Sequence, residues 1–225
     1  SVQEGESLID TGKTLDALMT DVVIIRHYCS GAPHLLAKNI KARVINAGDG
    51  MNEHPTQALL DMFTMREKVG HLKGLKVTII GDIKHSRVAR SNIIGLNKLG
   101  AQVTLTAPKT LLPYDIERMG AQVKPLNEAV KDADVIMSLR MQMERQLSGL
   151  IPSRKEYGRF YALTEDVLNT ARKDVYIMHP GPMNRGIELS SELADSPQSV
   201  INEQVTNGVA VRMAVLFLLT RGGKR

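Results

Sequence analysis

The sequence predicts an α/β protein built from two doubly wound parallel-sheet domains. Three observations carry this. Short apolar, β-branched runs recur along the chain, amphipathic helical patterns separate them, and arginine, histidine and glycine gather where the runs end. Strands that alternate with helices form right-handed βαβ crossovers, which makes the sheets parallel and covers both their faces.

The elements follow in order. Residues 21–26 (DVVIIR) and 43–47 (RVINA) read as strands. Residues 54–69 read as a helix, with Ala58, Leu59, Met62, Phe63 and Met65 at helical spacing. The run 75–82 (LKVTIIGD) is the clearest strand, closed by Gly81, and a helix follows over 86–99 with Gly100 as its stop. Further strands are expected at 102–107, 122–125, 134–139 and 175–179, and a final helix over 199–221 stops at Gly222-Gly223. No internal repeat or low-complexity segment interrupts this order. The polar stretch 70–74 marks the domain boundary. It divides a first domain over 1–72 from a second over 73–198, with the last helix returning to the first.

Composition narrows the function. Hydrophobic residues make up 43% and charged residues 24%, the balance of a globular protein. With 4% aromatic residues and no Trp, the core must come from Leu, Ile, Val, Ala and the 11 Met. The net charge of +5 comes without a basic run interleaved with aromatics, so no nucleic-acid partner is expected. A single cysteine, Cys29, leaves no partner for an intrachain disulfide and fits a reducing compartment. The most apolar stretch, 209–219, is broken by Arg212 and too short to span a bilayer. A cytoplasmic protein with no membrane partner is the expectation.

In open parallel sheets ligands sit beyond the carboxyl ends of strands. That rule selects the segments after each strand: 26–27, 48–54, 81–87, 139–145 and 179–185. They contain Arg26, His54, Gln57, Arg87, Arg140, Gln142, Arg145 and Arg185. One Arg of this kind is more often a structural ion pair than a ligand. Five at strand ends favour an anionic substrate, because the guanidinium fork binds carboxylate or phosphate bidentately. His54 and Gln57 stand three residues apart at a loop-to-helix junction, so one helical turn can present both to a ligand. Gly81-Asp82 is not a dinucleotide fingerprint, since Ile83-Lys84-His85-Ser86-Arg87 lacks its further glycines. No Walker A motif, nucleophile-elbow serine or metal-ligand spacing is present, so no cofactor or metal is expected. The residues alone reach a two-domain enzyme for a polyanionic substrate and leave the reaction unnamed.

Six segments together resemble one family. They are Gly5-Glu6-Ser7-Leu8, Asn46-Ala47-Gly48-Asp49-Gly50, residues 54–61 (HPTQALLD), residues 81–91 (GDIKHSRVARS), residues 139–145 (LRMQMER) and residues 179–186 (HPGPMNRG). In this order and spacing they are similar to the catalytic subunit of the aspartate carbamoyltransferases over essentially the whole chain. The nearest relatives, the ornithine carbamoyltransferases, usually carry a Cys where this chain has His179-Pro180-Gly181-Pro182, which favours aspartate.

The resemblance implies a carbamoyltransferase-like fold and transfer of a carbamoyl group from carbamoyl phosphate to L-aspartate in pyrimidine biosynthesis. It implies that Arg26 and His54 donate to the carbamoyl oxygen and that Gln57 contacts the carbamoyl NH2. Arg87 and Arg140 would clamp the two aspartate carboxylates beside Gln142. Gly181 and Pro182 would place backbone near the attacking amine, and Arg145 would brace the loop holding Arg140. It also implies a homotrimer, with a regulatory chain or another pathway enzyme as possible partners. Two departures stand out. The family's phosphate-binding segment has no counterpart here, so the first domain is expected to be incomplete and this chain alone weakly active or inactive. Glu4 stands where the family commonly carries a Lys, and it would repel phosphate. These departures leave a non-catalytic assembly protein as the alternative reading, with another amine acceptor such as ornithine as a third.

Overall fold

The computed structural model describes residues 7–141 and 154–221. Helix α1 (Leu8–Ala17) begins under a Ser7 cap, whose Oγ accepts from Asp10 N at 3.2 Å. Strand β1 (Val22–His27), helix α2 (Ala32–Asn39) and strand β2 (Arg43–Asp49) form a parallel crossover unit in the register Val22↔Arg43. Helices α1 and α2 were not legible in the sequence. Only Gly12 of α1 is buried, so α1 shows no apolar stripe, and α2 starts at Gly31 and Pro33, residues that read as a turn. Gly12 is required by their contact: a Cβ there would lie 2.5 Å from Leu36 Cδ1 and 2.7 Å from Ile40 Cγ2.

Helix α3 (Pro55–Val69) leads to a second sheet. Strand β3 (Lys76–Ile80), helix α4 (Arg87–Lys98), strand β4 (Gln102–Thr106), strand β5 (Ala121–Val123) and helix α5 (Leu126–Lys131) run outward to one edge. The chain then returns to the other side of β3 with strand β6 (Val135–Ser138), helices α6 (Arg154–Tyr161) and α7 (Glu165–Leu168), and strand β7 (Tyr176–Met178). All pairs are parallel and the order is β5-β4-β3-β6-β7. The winding therefore reverses between β3 and β6. The connections that leave their carboxyl ends run toward opposite edges of the sheet, which is where such sheets bind ligands.

Both faces of this sheet are covered, which explains its near-continuous apolar strands. On one face Val77, Ile79, Val103 and Met137 pack with Met62 and Met65 of α3 and Ile93 and Leu96 of α4. On the other, Ile80, Ile136 and Ile177 pack with Leu163, Leu189 and with Leu193 of helix α8 (Ser191–Ala194). Leu59 departs from the helical spacing read in the sequence. It stands 45% exposed, and its neighbour Leu60 takes the inward position.

Helix α9 (Ile201–Arg221) leaves the edge of the second sheet, where Val200 N donates to Ile177 O at 2.9 Å, and runs along α3. Lys68 Nζ meets Glu203 Oε1 at 2.7 Å, and Asn207 Nδ2 donates to Thr64 Oγ1 at 3.0 Å and Glu67 Oε2 at 2.6 Å. Helix α3 is thereby held from both sides, by α4 and by α9. Ile79 lies fully buried in the central strand beneath it. Ile79→Ala is expected to lower unfolding stability by about 2–5 kcal/mol, read from urea denaturation.

Candidate active site at the strand switch point

A buried carboxylate shapes the loop after β2. Asp49 accepts from Gly31 N (2.6 Å), Asn46 Nδ2 (2.8 Å), Asn52 Nδ2 (3.0 Å) and Glu53 N (3.1 Å). Burial alone would raise its pKa, but these donors outweigh it and hold the carboxyl below its usual range. The loop they tie down ends at His54, which precedes Pro55 at the first turn of α3. His54 N donates to Ser91 Oγ of α4 at 2.8 Å, fixing this helix start against the second sheet's first helix.

Arg87 opens α4, behind a Ser86 cap whose Oγ accepts from Ala89 N at 3.1 Å. Its side chain is 8% exposed and crosses back to the β2 loop, where Nη1 donates to Gly50 O at 3.4 Å. The guanidinium lies flat on Gly48, whose φ is +117°, and a Cβ there would sit 2.7 Å from Arg87 Cζ. Glycine is needed at 48 both for its backbone angle and for this approach.

His54 sits among cations. Burial first, then the charges of Arg87, Arg26 and Arg212, push its pKa down to about 4. The ring is therefore neutral near pH 7 and keeps one N–H to donate. Thr56 Oγ1 lies 3.5 Å from Nδ1, and when that hydroxyl donates, the ring proton is on Nε2. Arg26, in β1, is exposed. Arg212 projects from α9 with its guanidinium over Gly208, where a Cβ would meet Nη1 at 2.5 Å. In the sequence Arg212 was visible only as a break in an apolar run, because nothing local places α9 beside His54.

Gln57 follows one turn later and is buried. Its Nε2 donates to Asp61 Oδ1 at 3.0 Å. Asp61, fully buried, also accepts from Gln204 Nε2 of α9 (2.8 Å) and Asn92 Nδ2 of α4 (2.8 Å). Burial pushes Asp61 up to about 6, against the pull of Asn92, Gln204, Gln57 and Arg212. Gln204 Oε1 in turn accepts from His179 N at 2.9 Å. This junction was not found in the sequence, since Asp61 and Gln204 lie 143 residues apart.

Arg140 follows β6, whose end is pinned beside β3 by Leu139 N donating to Ile80 O at 2.8 Å. The adjoining 179–186 loop is organised by a second buried pair. His179 Nδ1 accepts from Gly181 N at 3.0 Å, so Nε2 carries the proton that faces Glu188 Oε1 at 3.3 Å. Glu188 also accepts from the backbone and side-chain amides of Asn184, whose Nδ2 reaches Met141 O at 3.3 Å. Gly181 (φ +63°) and Pro182, joined by a cis peptide bond, are thus tethered to the stretch that carries Arg140.

The structure brings Arg26, His54, Gln57 and Arg87 to one place, and sets Arg140, Gly181 and Pro182 at the neighbouring strand ends. Gln142, Arg145 and Glu4 lie outside the described residues. Arg185 does not join the cluster: its fork is filled by Asp195, with both N–O distances 2.8 Å. It is the ordinary structural ion pair, at an exposed position. Among the described residues no group of three or more His, Cys, Asp or Glu side chains converges as a metal site. No described helix is long and apolar enough to cross a membrane.

The imidazole signals of His54 are expected to titrate with a midpoint near 4, followed by NMR. Its folded-state pKa lies below the ordinary 6.5, so acid favours the unfolded chain. The stability it contributes is complete above pH 6.5 and lost as the pH falls toward 4. Asp61 has the opposite sign: its pKa is raised above 3.8, so the folded state loses stability as the pH rises from there through about 6. Replacing His54 should flatten only the first of these slopes in pH-dependent denaturation.

Comparison with known proteins agrees with this geometry. Residues 1–67 match the carbamoyl-P binding domain of the aspartate/ornithine carbamoyltransferases, and residues 73–219 match their Asp/Orn binding domain. The aspartate carbamoyltransferase catalytic subunit of Ruminiclostridium cellulolyticum is 63% identical over 224 residues, covering 99% of this chain and 72% of that protein. The corresponding subunit of Acetivibrio thermocellus is 65% identical over 222 residues, covering 98% and 71%. Among solved structures, aspartate transcarbamoylase from Trypanosoma cruzi bound to N-(phosphonacetyl)-L-aspartic acid superposes with a TM-score of 0.84 at 31% identity, covering 96% of this chain and 71% of that one. Ornithine carbamoyltransferase from Pyrococcus furiosus gives 0.86 at 33% identity, covering 98% and 72%. Matched in both its parts, the chain belongs to the aspartate/ornithine carbamoyltransferase family.

Proposed function

We propose that this chain transfers the carbamoyl group of carbamoyl phosphate to the amino group of L-aspartate, giving N-carbamoyl-L-aspartate and phosphate. The observation that carries the mechanism is the half-buried, neutral His54 under the charges of Arg87 and Arg26. Attack of an amine on the carbamoyl carbon builds negative charge on its oxygen. A neutral imidazole N–H and a guanidinium, fixed in place beforehand, stabilise that charge without reorganising at the moment of reaction.

In this reading Arg26 and His54 donate to the carbamoyl oxygen and Gln57 contacts the carbamoyl NH2. Arg87 and Arg140 hold the two carboxylates of aspartate beside Gln142, by bidentate bonds suited to the guanidinium fork. Gly181 and Pro182 set backbone close to the attacking amine. Holding two anions in line for attack supplies much of the rate, because orientation replaces an improbable encounter. Aspartate is favoured over ornithine on two grounds. Relatives at 63% and 65% identity are aspartate enzymes. A second carboxylate also suits a site lined by Arg87 and Arg140, which would repel the extra ammonium of ornithine. A homotrimer and cytoplasmic residence belong to the same proposal and rest on the family resemblance.

The test is formation of N-carbamoyl aspartate by the complete open reading frame, with aspartate accepted and ornithine refused. His54→Ala is expected to lower kcat by about 10²–10³, the usual loss of one oxyanion donor. An unchanged kcat removes His54 from the catalytic groups. Arg140→Ala should act mainly on the KM for aspartate, measured with carbamoyl phosphate saturating.

A further inference from the structure

We infer that Asp61 is a specificity-determining positioning residue: by taking the NH2 of Gln57, it turns the Gln57 carbonyl oxygen toward the substrate and so selects an acyl donor that carries –NH2. The inference rests on the carbamoyl-transfer reading and deepens it.

A glutamine amide offers a donor on one branch and an acceptor on the other, and the two ends have nearly the same shape. Nothing in Gln57 itself decides which end faces a ligand. Asp61 decides it. An ionised carboxylate accepts hydrogen bonds and donates none. Each amide that reaches Asp61 must therefore present its NH2: Gln57 at 3.0 Å, Gln204 at 2.8 Å and Asn92 at 2.8 Å. The Gln57 oxygen then points away from Asp61, and among the described residues it receives no donor. One turn from His54, that oxygen is matched to an N–H of a carbamoyl group and offers nothing to a methyl group of the same size.

The same constraint sets Gln204. With its NH2 on Asp61, its oxygen faces His179 N, at 2.9 Å, beneath the loop that carries Gly181 and Pro182. One carboxylate thus orients an amide on the carbamoyl side and an amide under the amine side. Burial opposes the anion of Asp61, while its three amide donors and, among the described residues, the charge of Arg212 of α9 favour it.

The experiment compares carbamoyl phosphate with acetyl phosphate, in which CH3 replaces NH2, as donors to aspartate in the full chain. Asp61→Ala frees the Gln57 amide and is expected to lower the kcat/KM ratio of carbamoyl to acetyl donor by about tenfold, the scale of one oriented hydrogen bond. Asp61→Asn keeps one oxygen that can accept from Gln57 and Gln204 while Asn92 turns, so its ratio should fall less than in Asp61→Ala. A purely structural role would depress both donors equally, and an unchanged ratio in Asp61→Ala overturns the inference. Should that variant fail to fold, neutron diffraction from wild-type crystals soaked with phosphonoacetamide decides the matter. Deuterons of Gln57 Nε2 aimed at Asp61 are expected, and deuterons aimed at the ligand side overturn it. A complete reading frame that makes no carbamoyl aspartate sinks the reaction reading, while the neutron map still decides the amide orientation.

Discussion

The carboxylate of Asp61 is the point at which the three helices around the site become one body. It is fully buried, yet it receives donors from α3, α4 and α9. A buried carboxylate left unpaired costs far more than the bonds it forms return, so the helices must stay where all three donors reach it. Because α9 follows the second sheet and α3 follows the first, the junction also ties the two sheets together. The register of Gln57 and His54 against Arg87 depends on that packing.

Three further buried carboxylates do comparable work on a smaller scale. Asp49 gathers the β2 loop, Glu188 gathers the 179–186 loop, and Asp82 holds His85 on the way into α4, with Nδ1 at 2.9 Å. Asp49 and Asp82 sit at strand ends, where backbone N–H groups leave the sheet ladder and need acceptors, and Glu188 does the same for the loop beyond β7. The loops around Asp49, Asp82 and Glu188 are therefore tied down for an electrostatic reason. Burial first, and then the charges of Arg87, Arg26 and Arg212, keep His54 neutral.

Arginines divide here by what fills their forks. Arg172 is shared by Asp134 and Asp174, and Arg185 is closed by Asp195. Arg87 instead reaches across to the backbone of another unit, over Gly48. Position at a strand end did not separate these cases, because residue type and spacing are the same for both. The acidic partner of Arg185 lies ten residues away, around a turn that only the folded loop closes.

The sequence by itself determined the alternation of strands and helices in the second sheet, and it pointed to Arg26, His54, Gln57, Arg87 and Arg140 in the segments that follow strands. Period-two and period-3.6 patterns are local, and strand ends can be located from them. The tertiary structure alone decided the rest. It revealed α1, whose burial is too slight to leave an apolar stripe, and α2, whose opening Gly31 and Pro33 read as a turn. It turned Leu59 outward and Leu60 inward, since α4 and α9 flank α3 at an angle that periodicity does not contain. It placed Asp61, Gln204 and Arg212 beside the site and removed Arg185 from it. Those outcomes depend on residues far apart in the chain meeting in a low-dielectric interior, where donors, acceptors and charges must balance, and no window of sequence carries that balance.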